Sequence, residues 1–373
     1  MYPIESVEAL NAEVTRMVVR APEIARKIKP GQFIMLRIDE EGERIPLTMN
    51  EADPQTGTVT IVFQAVGATT MRLATLRAGD ALLDFVGPLG NPTELEGARR
   101  ACVVGGGLGT AIAYPQAKWL HDHGCEVDVI TGFRSQDLVI LKDEIEACSS
   151  RSIIMTDDGS NGNKGVVTEP LKRWIEEGAN YDLVLAVGPI VMMKFVAATT
   201  REHGIKTLVS MNPLMIDGTG MCGGCRVKVG DEYLHACVDG PDFDGHLVDY
   251  DDAMRRGVMY RAYEGSARKK MAKRLAAEAR DCDVAAAKRA AQVAGASAAA
   301  GEGAGAAGAT PRRAARITLD PEMEAKLAAM EPEKAAKVRA AMEAKLAREE
   351  AARAASHAEA TGAGQAVYAG EGE

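Results

Sequence analysis

Residues 217–237 read D-G-T-G-M-C-G-G-C-R-V-K-V-G-D-E-Y-L-H-A-C and bring three thiols and a carboxylate into one short stretch. Plant-type two-iron, two-sulfur sites use C-x4-C-x2-C followed by a more distant Cys. Asp217, Cys222 and Cys225 keep that spacing, with Asp217 in the first position, and Cys237 supplies the distant thiol. Three thiolates and a carboxylate can close a [2Fe-2S] cluster, and the harder carboxylate ligand shifts its potential relative to an all-thiolate shell. Gly218, Gly220, Gly223 and Gly224 allow the tight wrap that turns backbone N–H groups toward anionic sulfide. The alternation that follows predicts a hairpin turning at Gly230-Asp231, which returns Cys237 to the side of Cys222 and Cys225. The same residues also suit a tetrahedral zinc site with a Cys3Asp shell, and an Asp before Gly is an ordinary turn residue. Cluster, zinc site and unligated thiols are the three readings of this stretch.

Two further constellations suit phosphate-bearing ligands. Arg44-Ile45-Pro46-Leu47-Thr48 reads as a strand, and the later V-G-A-T-T-M-R-L opens a short helix at Gly67, with Thr69 and Thr70 in its first turn. An arginine, a hydroxyl and a helix N-terminus can hold a dinucleotide pyrophosphate between them. Each part also has an ordinary reading, as a solvated edge arginine and a Thr-Thr helix cap. The second constellation is Gly105-Gly106-Gly107-Leu108-Gly109-Thr110, which follows the strand-like R-R-A-C-V-V and precedes a helical pattern. That context makes it a phosphate-binding turn, although Thr110 stands where the strict fingerprint has its third glycine. Gly132-Phe133-Arg134-Ser135, the Thr156-Asp157-Asp158 turn and Gly188-Pro189 fall at the ends of other expected strands, with Arg134 suited to ribose or phosphate. Loops converging on one edge of a parallel sheet predict a shared pocket.

The elements that must position these residues follow from periodicity. Residues 1–97 are short alternating or β-branched runs divided by Gly and Pro, the pattern of an antiparallel barrel or sandwich. Residues 98–210 alternate strand and helix, the pattern of a doubly wound parallel sheet. Residues 211–265 hold the cysteine loop, 266–316 a basic helix and an Ala/Gly-rich linker, and 317–373 a helical or disordered tail with Pro321 and Pro332 at helix starts. The fold class is thus β plus α/β multidomain, with a small cluster domain and a low-complexity tail.

The formal net charge of -9 argues against nucleic acid or an anionic membrane as the main partner. The seven cysteines form no secretory framework, the N-terminus has no signal-like h-region and no long apolar run occurs, so a cytoplasmic location is expected. Cys102, Cys125 and Cys148 read as buried packing residues, and Cys282 lies far from the loop.

A barrel with R-I-P-L-T, a G-G-G-L-G nucleotide domain and a ferredoxin-like cysteine loop, in that order, resembles the ferredoxin–NADP reductase superfamily. Within it the chain is similar to electron-transfer subunits of the sulfide and dihydroorotate dehydrogenase type. D-G-T-G-M-C-G-G-C matches most closely the small subunits of bifurcating NADH-dependent ferredoxin:NADP oxidoreductases. The likeness covers residues 1–265. It implies that Arg44, Pro46, Leu47 and Thr48 line FAD, with Thr48 near the isoalloxazine, and that Gly67, Thr69 and Thr70 hold its pyrophosphate. It further implies that Gly105, Gly106, Gly107, Gly109, Thr110, Asp157 and Gly188 receive NAD(H), and that Asp217, Cys222, Cys225 and Cys237 ligate the cluster. Val187 replaces the Cys that many of these reductases carry before that last Gly-Pro. The implied partner is a larger flavin and iron–sulfur catalytic subunit, with ferredoxin reached indirectly. Dihydroorotate dehydrogenase is the alternative partner, and a non-redox, zinc-stabilised nucleotide-binding module is the alternative from another class. Hydride transfer requires no general acid or base, so no catalytic residue is assigned.

Overall fold

The computed structural model describes residues 1–279; the linker and tail expected further on, and Cys282, lie outside the described residues. The first part comprises β1 (Tyr2–Ala9), β2 (Val14–Arg20), α1 (Pro22–Ala25), β3 (Phe33–Arg37), β4 (Ile45–Asp53), β5 (Thr58–Gln64), α2 (Ala68–Leu73), β6 (Ala81–Leu82) and β7 (Asp84–Leu89). Its strands pair antiparallel in the order β6-β1-β2-β5-β4-β3-β7. β6 and β7 are separated only by Leu83, whose N–H donates to the carbonyls of Arg37 and Ile38 at 3.0 and 3.1 Å. The two ends of the sheet therefore belong to one continuous segment, and the sheet curls into a nearly closed barrel. Alternation along the strands sends Met17, Val19, Ile34, Leu36, Ile61, Phe63 and Phe85 inward to one core.

The second part comprises β8 (Arg100–Gly106), α3 (Gly109–Asp122), β9 (Glu126–Phe133), α4 (Lys142–Ala147), β10 (Arg151–Thr156), α5 (Thr168–Glu176), β11 (Leu183–Val187), α6 (Ile190–Glu202) and β12 (Thr207–Ser210). The strands run parallel in the order β10-β9-β8-β11-β12. All five residues of β11 are buried, as expected for a strand covered on both faces. The order reverses between β8 and β11, and a doubly wound sheet binds ligands at that switch, beyond the strand carboxyl ends. At the opposite ends, buried Asp128 accepts hydrogen bonds from Arg151 at 2.7 Å and Tyr181 at 2.6 Å, a network that ties the strand starts together.

The third part comprises β13 (Arg226–Val229), β14 (Glu232–His235), β15 (Asp242–Asp244) and α7 (Tyr250–Gly257). β13 and β14 form the hairpin expected at Gly230-Asp231, where Gly230 has φ +61°. β15 departs from expectation: it pairs antiparallel with β12 as the sixth strand of the nucleotide sheet. Residues of the cysteine segment, including Cys225, Val227, Ala236, Cys237 and Phe243, share one apolar core with Phe33 and Met35 of the barrel and Val184 and Val209 of the sheet. Among the described residues, no helix is long and apolar enough to cross a membrane.

Candidate functional site

The strand carrying R-I-P-L-T is paired on one side only along its first half. Ile45, Pro46, Leu47 and Thr48 of β4 face Leu36, Met35, Ile34 and Phe33 of β3. The ladder from β4 to β5 begins at Met49, which faces Ile61, and shifts register before Glu51. An opening is thus left beside residues 45–48, bounded by the end of β5 and by α2. Arg44 stands exposed at its mouth, with Nη2 3.9 Å from Asp84. At the start of α2 the Thr70 hydroxyl accepts from the Gly67 N–H at 3.0 Å, and the Thr69 hydroxyl donates to Glu43 at 3.3 Å. The Thr69–Glu43 bond brings the helix start beside Arg44. A Cβ at Gly67 would meet only Thr70 within 4 Å, so the backbone there faces open space. A guanidinium, two hydroxyls and the first N–H groups of a helix around an open cleft fit a dinucleotide pyrophosphate.

The glycines of the second constellation differ in what they do. A Cβ at Gly106 would lie 2.5 Å from Met192 Sδ and 2.9 Å from Pro189 Cδ, and one at Gly188 would lie 3.0 Å from Gly106 Cα. A Cβ at Gly109 would strike the Val187 carbonyl. These three glycines let the β8 and β11 loops approach each other across the switch. Gly107 has φ +55° and no neighbour within 4 Å of its Cβ position, and its N–H donates to the Gly132 carbonyl at 2.8 Å. Within the turn, accessible surface is confined to Gly107 and Leu108; Gly105, Gly106, Gly109 and Thr110 are buried. Thr110 turns its N–H to the Gly107 carbonyl, and its hydroxyl has no hydrogen-bond partner. Its place is to shape the turn. Arg134 and Asp157 are exposed beyond β9 and β10, where the Asp157 N–H donates to Phe133 and Arg134 lies 3.8 Å from Glu13. The structure therefore brings Gly107, Arg134, Asp157 and Gly188 to one edge of one sheet.

In the cysteine loop, Cys225 and Cys237 are buried with their sulfurs 3.2 Å apart, and Cys222 is exposed. Backbone N–H groups point at cysteine sulfur: Gly220 N–H at Cys237 at 3.1 Å and Gly224 N–H at Cys222 at 3.4 Å. Burial, followed by the hydrogen bond with Cys225, pushes the Cys237 thiol up to about 12. A bound cation inverts that preference and takes the thiolate. Asp217 accepts from the N–H groups of Thr219 and Cys222, both at 3.0 Å, and these bonds hold its carboxyl below the usual carboxylate range. Among the described residues, no three Cys, His, Asp or Glu side chains stand close enough to enclose a single metal ion. A two-iron cluster spreads its four ligands over two metals and takes a wider frame. Three sulfurs, a carboxylate and N–H donors aimed at sulfur fit that group.

Residues 212–249 match the model of the iron-sulfur cluster binding domain of dihydroorotate dehydrogenase B. A Thermotoga maritima protein described as a homologue of the dihydroorotate dehydrogenase B (NAD(+)) electron transfer subunit is 44% identical over 246 residues, covering 66% of this chain and 86% of that protein. The chain belongs to the dihydroorotate dehydrogenase B electron-transfer subunit family. A Clostridium beijerinckii family relative, described as an uncharacterized protein in the adh 3′ region, is 49% identical over 275 residues, 72% of this chain and 93% of that one. Among solved structures, a chain of the NADH-dependent reduced ferredoxin-NADP oxidoreductase, described for flavin-based electron bifurcation, superposes with a TM-score of 0.69 at 40% identity. It covers 72% of this chain and 97% of that one.

Asn50 was not among the residues expected at the site. It is buried on β4 two positions after Thr48, and its Nδ2 donates to the Ala111 carbonyl of α3 at 2.7 Å. Its signal in the sequence was indirect: Pro115 interrupts the helical pattern and frees the carbonyl four residues before it.

Proposed function

We propose that this electron-transfer subunit binds FAD along residues 45–48 and α2, NAD(H) at the β8–β11 switch and a [2Fe-2S] cluster in the 217–237 loop, and passes electrons between them and a larger catalytic subunit. A bound FAD would supply the exchange between two-electron hydride chemistry at the nicotinamide and one-electron chemistry at the two-iron cluster. The observation that carries the reading is the central place of β4. Asn50 ties it to the nucleotide-turn helix, and its partner strand β3 offers Met35 to the cysteine loop, where a Cβ at Gly218 would lie 2.8 Å from Met35 Cγ.

The residues of this chain do the placing. Arg44 and the start of α2 supply positive potential for the pyrophosphate, and the half-buried residues Pro46, Leu47 and Thr48 form the stretch of β4 beside the ring system. Gly107 admits a phosphate to the backbone, with Arg134 at the rim. Asp217, Cys222, Cys225 and Cys237 hold the cluster, and the exposure of Cys222 sets one edge of it toward a partner. The 40% identity to a chain of the bifurcating NADH-dependent oxidoreductase supports NADH as donor, and a flavin and iron–sulfur subunit, with ferredoxin beyond it, as the onward route. Thiol ligation supports a reducing, cytoplasmic setting.

The test compares NADH-driven reduction of ferricyanide and of cytochrome c by the anaerobically purified chain. Ferricyanide takes electrons from a flavin directly, whereas cytochrome c reports the cluster. Cys237→Ser is expected to cut the cytochrome c rate at least about tenfold and spare the ferricyanide rate. Equal loss of both, or of neither, contradicts the relay.

A further inference from the structure

The barrel and the nucleotide sheet meet where β4 passes α3, and most polar contacts there are exposed or half-exposed. Arg16 pairs with Glu144 at 2.5 Å, Lys118 pairs with Glu51 at 2.5 Å, and Asn11 donates to the Leu138 carbonyl at 3.2 Å. Screened ion pairs of this kind add little and do not hold a geometry. Asn50 differs from them: it is 3% exposed, and its Nδ2 reaches the Ala111 carbonyl at 2.7 Å. The helical donor to that carbonyl would be the N–H of residue 115, which is a proline inside α3 and has none. A buried carbonyl left without a donor is costly, so the barrel supplies the bond the helix cannot make.

We propose that Asn50 is a positioning residue for hydride transfer: through Ala111 it fixes the nucleotide turn at Gly107 and Leu108 relative to the flavin-facing residues Pro46, Leu47 and Thr48. The inference rests on the flavin and nucleotide sites proposed above. Asn50 lies two residues from Thr48, and Ala111 three from Leu108, so a shift in this one bond displaces one reacting face relative to the other. A misplacement of about 1 Å between reacting groups can slow a step by about a hundredfold.

Asn50→Ala, Pro115→Ala and the double variant separate positioning from simple satisfaction of a carbonyl. Asn50→Ala orphans the Ala111 carbonyl and opens the contact, so its melting temperature should fall by about 3–8 °C. Flavin bleaching by NADH should slow about ten- to a hundredfold, with photochemical reduction of the flavin unchanged. In the double variant the backbone N–H gained at position 115 supplies the missing helical bond, so most of the melting temperature should return while bleaching by NADH stays slow. Pro115→Ala alone keeps Asn50 and should bleach within about threefold of the parent protein. Amide exchange of the cofactor-free proteins provides a readout independent of turnover: residues 45–50 should exchange faster in both variants that lack Asn50 and not in Pro115→Ala.

Recovery of the bleaching rate together with the melting temperature in the double variant would overturn the proposal, as would unchanged exchange in residues 45–50. A parent protein that binds FAD and is not bleached by NADH would instead remove the functional reading, and the inference with it.

Discussion

Gly218 lies against Met35: a Cβ added at residue 218 would stand 2.8 Å from Met35 Cγ and 3.0 Å from Leu89 Cδ1. Met35 pairs with Pro46 across β3 and β4, so a single residue of the barrel touches both the strand expected to line the flavin and the loop that begins at Asp217. The cysteine loop is docked on the barrel wall, and the docking depends on the absence of a side chain.

Gly218→Ala should therefore combine backbone strain at φ +76° with overpacking against Met35, a loss of about 2–4 kcal/mol. Gly124→Ala is the control, because Gly124 has φ +81° and no neighbour within 4 Å of its Cβ position. It carries the strain alone and should lose about 1–2 kcal/mol. Denaturant unfolding measures both, and iron per chain should fall in Gly218→Ala only.

Ligation is read by metal content. Cys222→Ser, Cys225→Ser and Cys237→Ser should each lose most of the iron and sulfide, since each removes one of the three thiolates proposed to hold the cluster. Asp217→Cys should keep two irons per chain and move the midpoint potential, because a softer ligand replaces the carboxylate. An unchanged potential and spectrum in Asp217→Cys would count against ligation by Asp217.

Arg44 is the cleanest probe of the flavin site. It is 57% exposed, and its contact to Asp84 is 3.9 Å long, so its removal should shift the melting temperature of the flavin-free protein by about 1 °C or less. Loss of a charge-assisted contact to the pyrophosphate should weaken FAD about tenfold or more, measured by fluorescence titration of the stripped protein.

Several of these positions were legible in the sequence because their signals are local. The period-2 runs around V-T-R-M-V-V-R and T-V-T-I-V-F-Q became β2 and β5, and the Gly230-Asp231 turn became the hairpin that places Cys237 beside Cys225. β15 was not legible: D-F-D is too short to show a period, and only its pairing with β12 makes it a strand. The glycine turn was readable as a turn and not as a surface, since nothing local says that Thr110 is buried and Gly107 is open. Asn50 and Ala111 are 61 residues apart, and no sequence pattern joins a strand asparagine to one particular helical carbonyl. Pro115 leaves a carbonyl near the start of α3 in need of a donor from elsewhere, but which donor answers it is a tertiary fact.

The junction of the three parts carries a pH signature. Asp242 Oδ2 accepts from the Thr93 hydroxyl at 2.5 Å, and Oδ1 is buried without a partner. Burial raises the affinity of this carboxyl for its proton, outweighing the hydrogen bond from Thr93. A carboxyl whose pKa is raised by folding costs nothing below its unfolded value, near pH 4, and its penalty grows as pH rises from there to the raised value and is constant above it. Asp242→Asn should thus melt higher than the parent protein at pH 8, with the difference closing below about pH 4. A constant difference across that range would contradict the assignment.

The joining of a nicotinamide site, a flavin and a two-iron cluster in one chain has an optical signature. It is tested most directly by the visible spectrum of the anaerobically purified protein before and after NADH, with flavin, iron, sulfide and zinc counted on the same sample. One FAD, two irons and two sulfides per chain are expected, with both the flavin and the cluster absorbance bleached by NADH. A zinc-bearing protein with no flavin, or a flavin that NADH bleaches while the iron absorbance stays unchanged, would contradict the joining of the three.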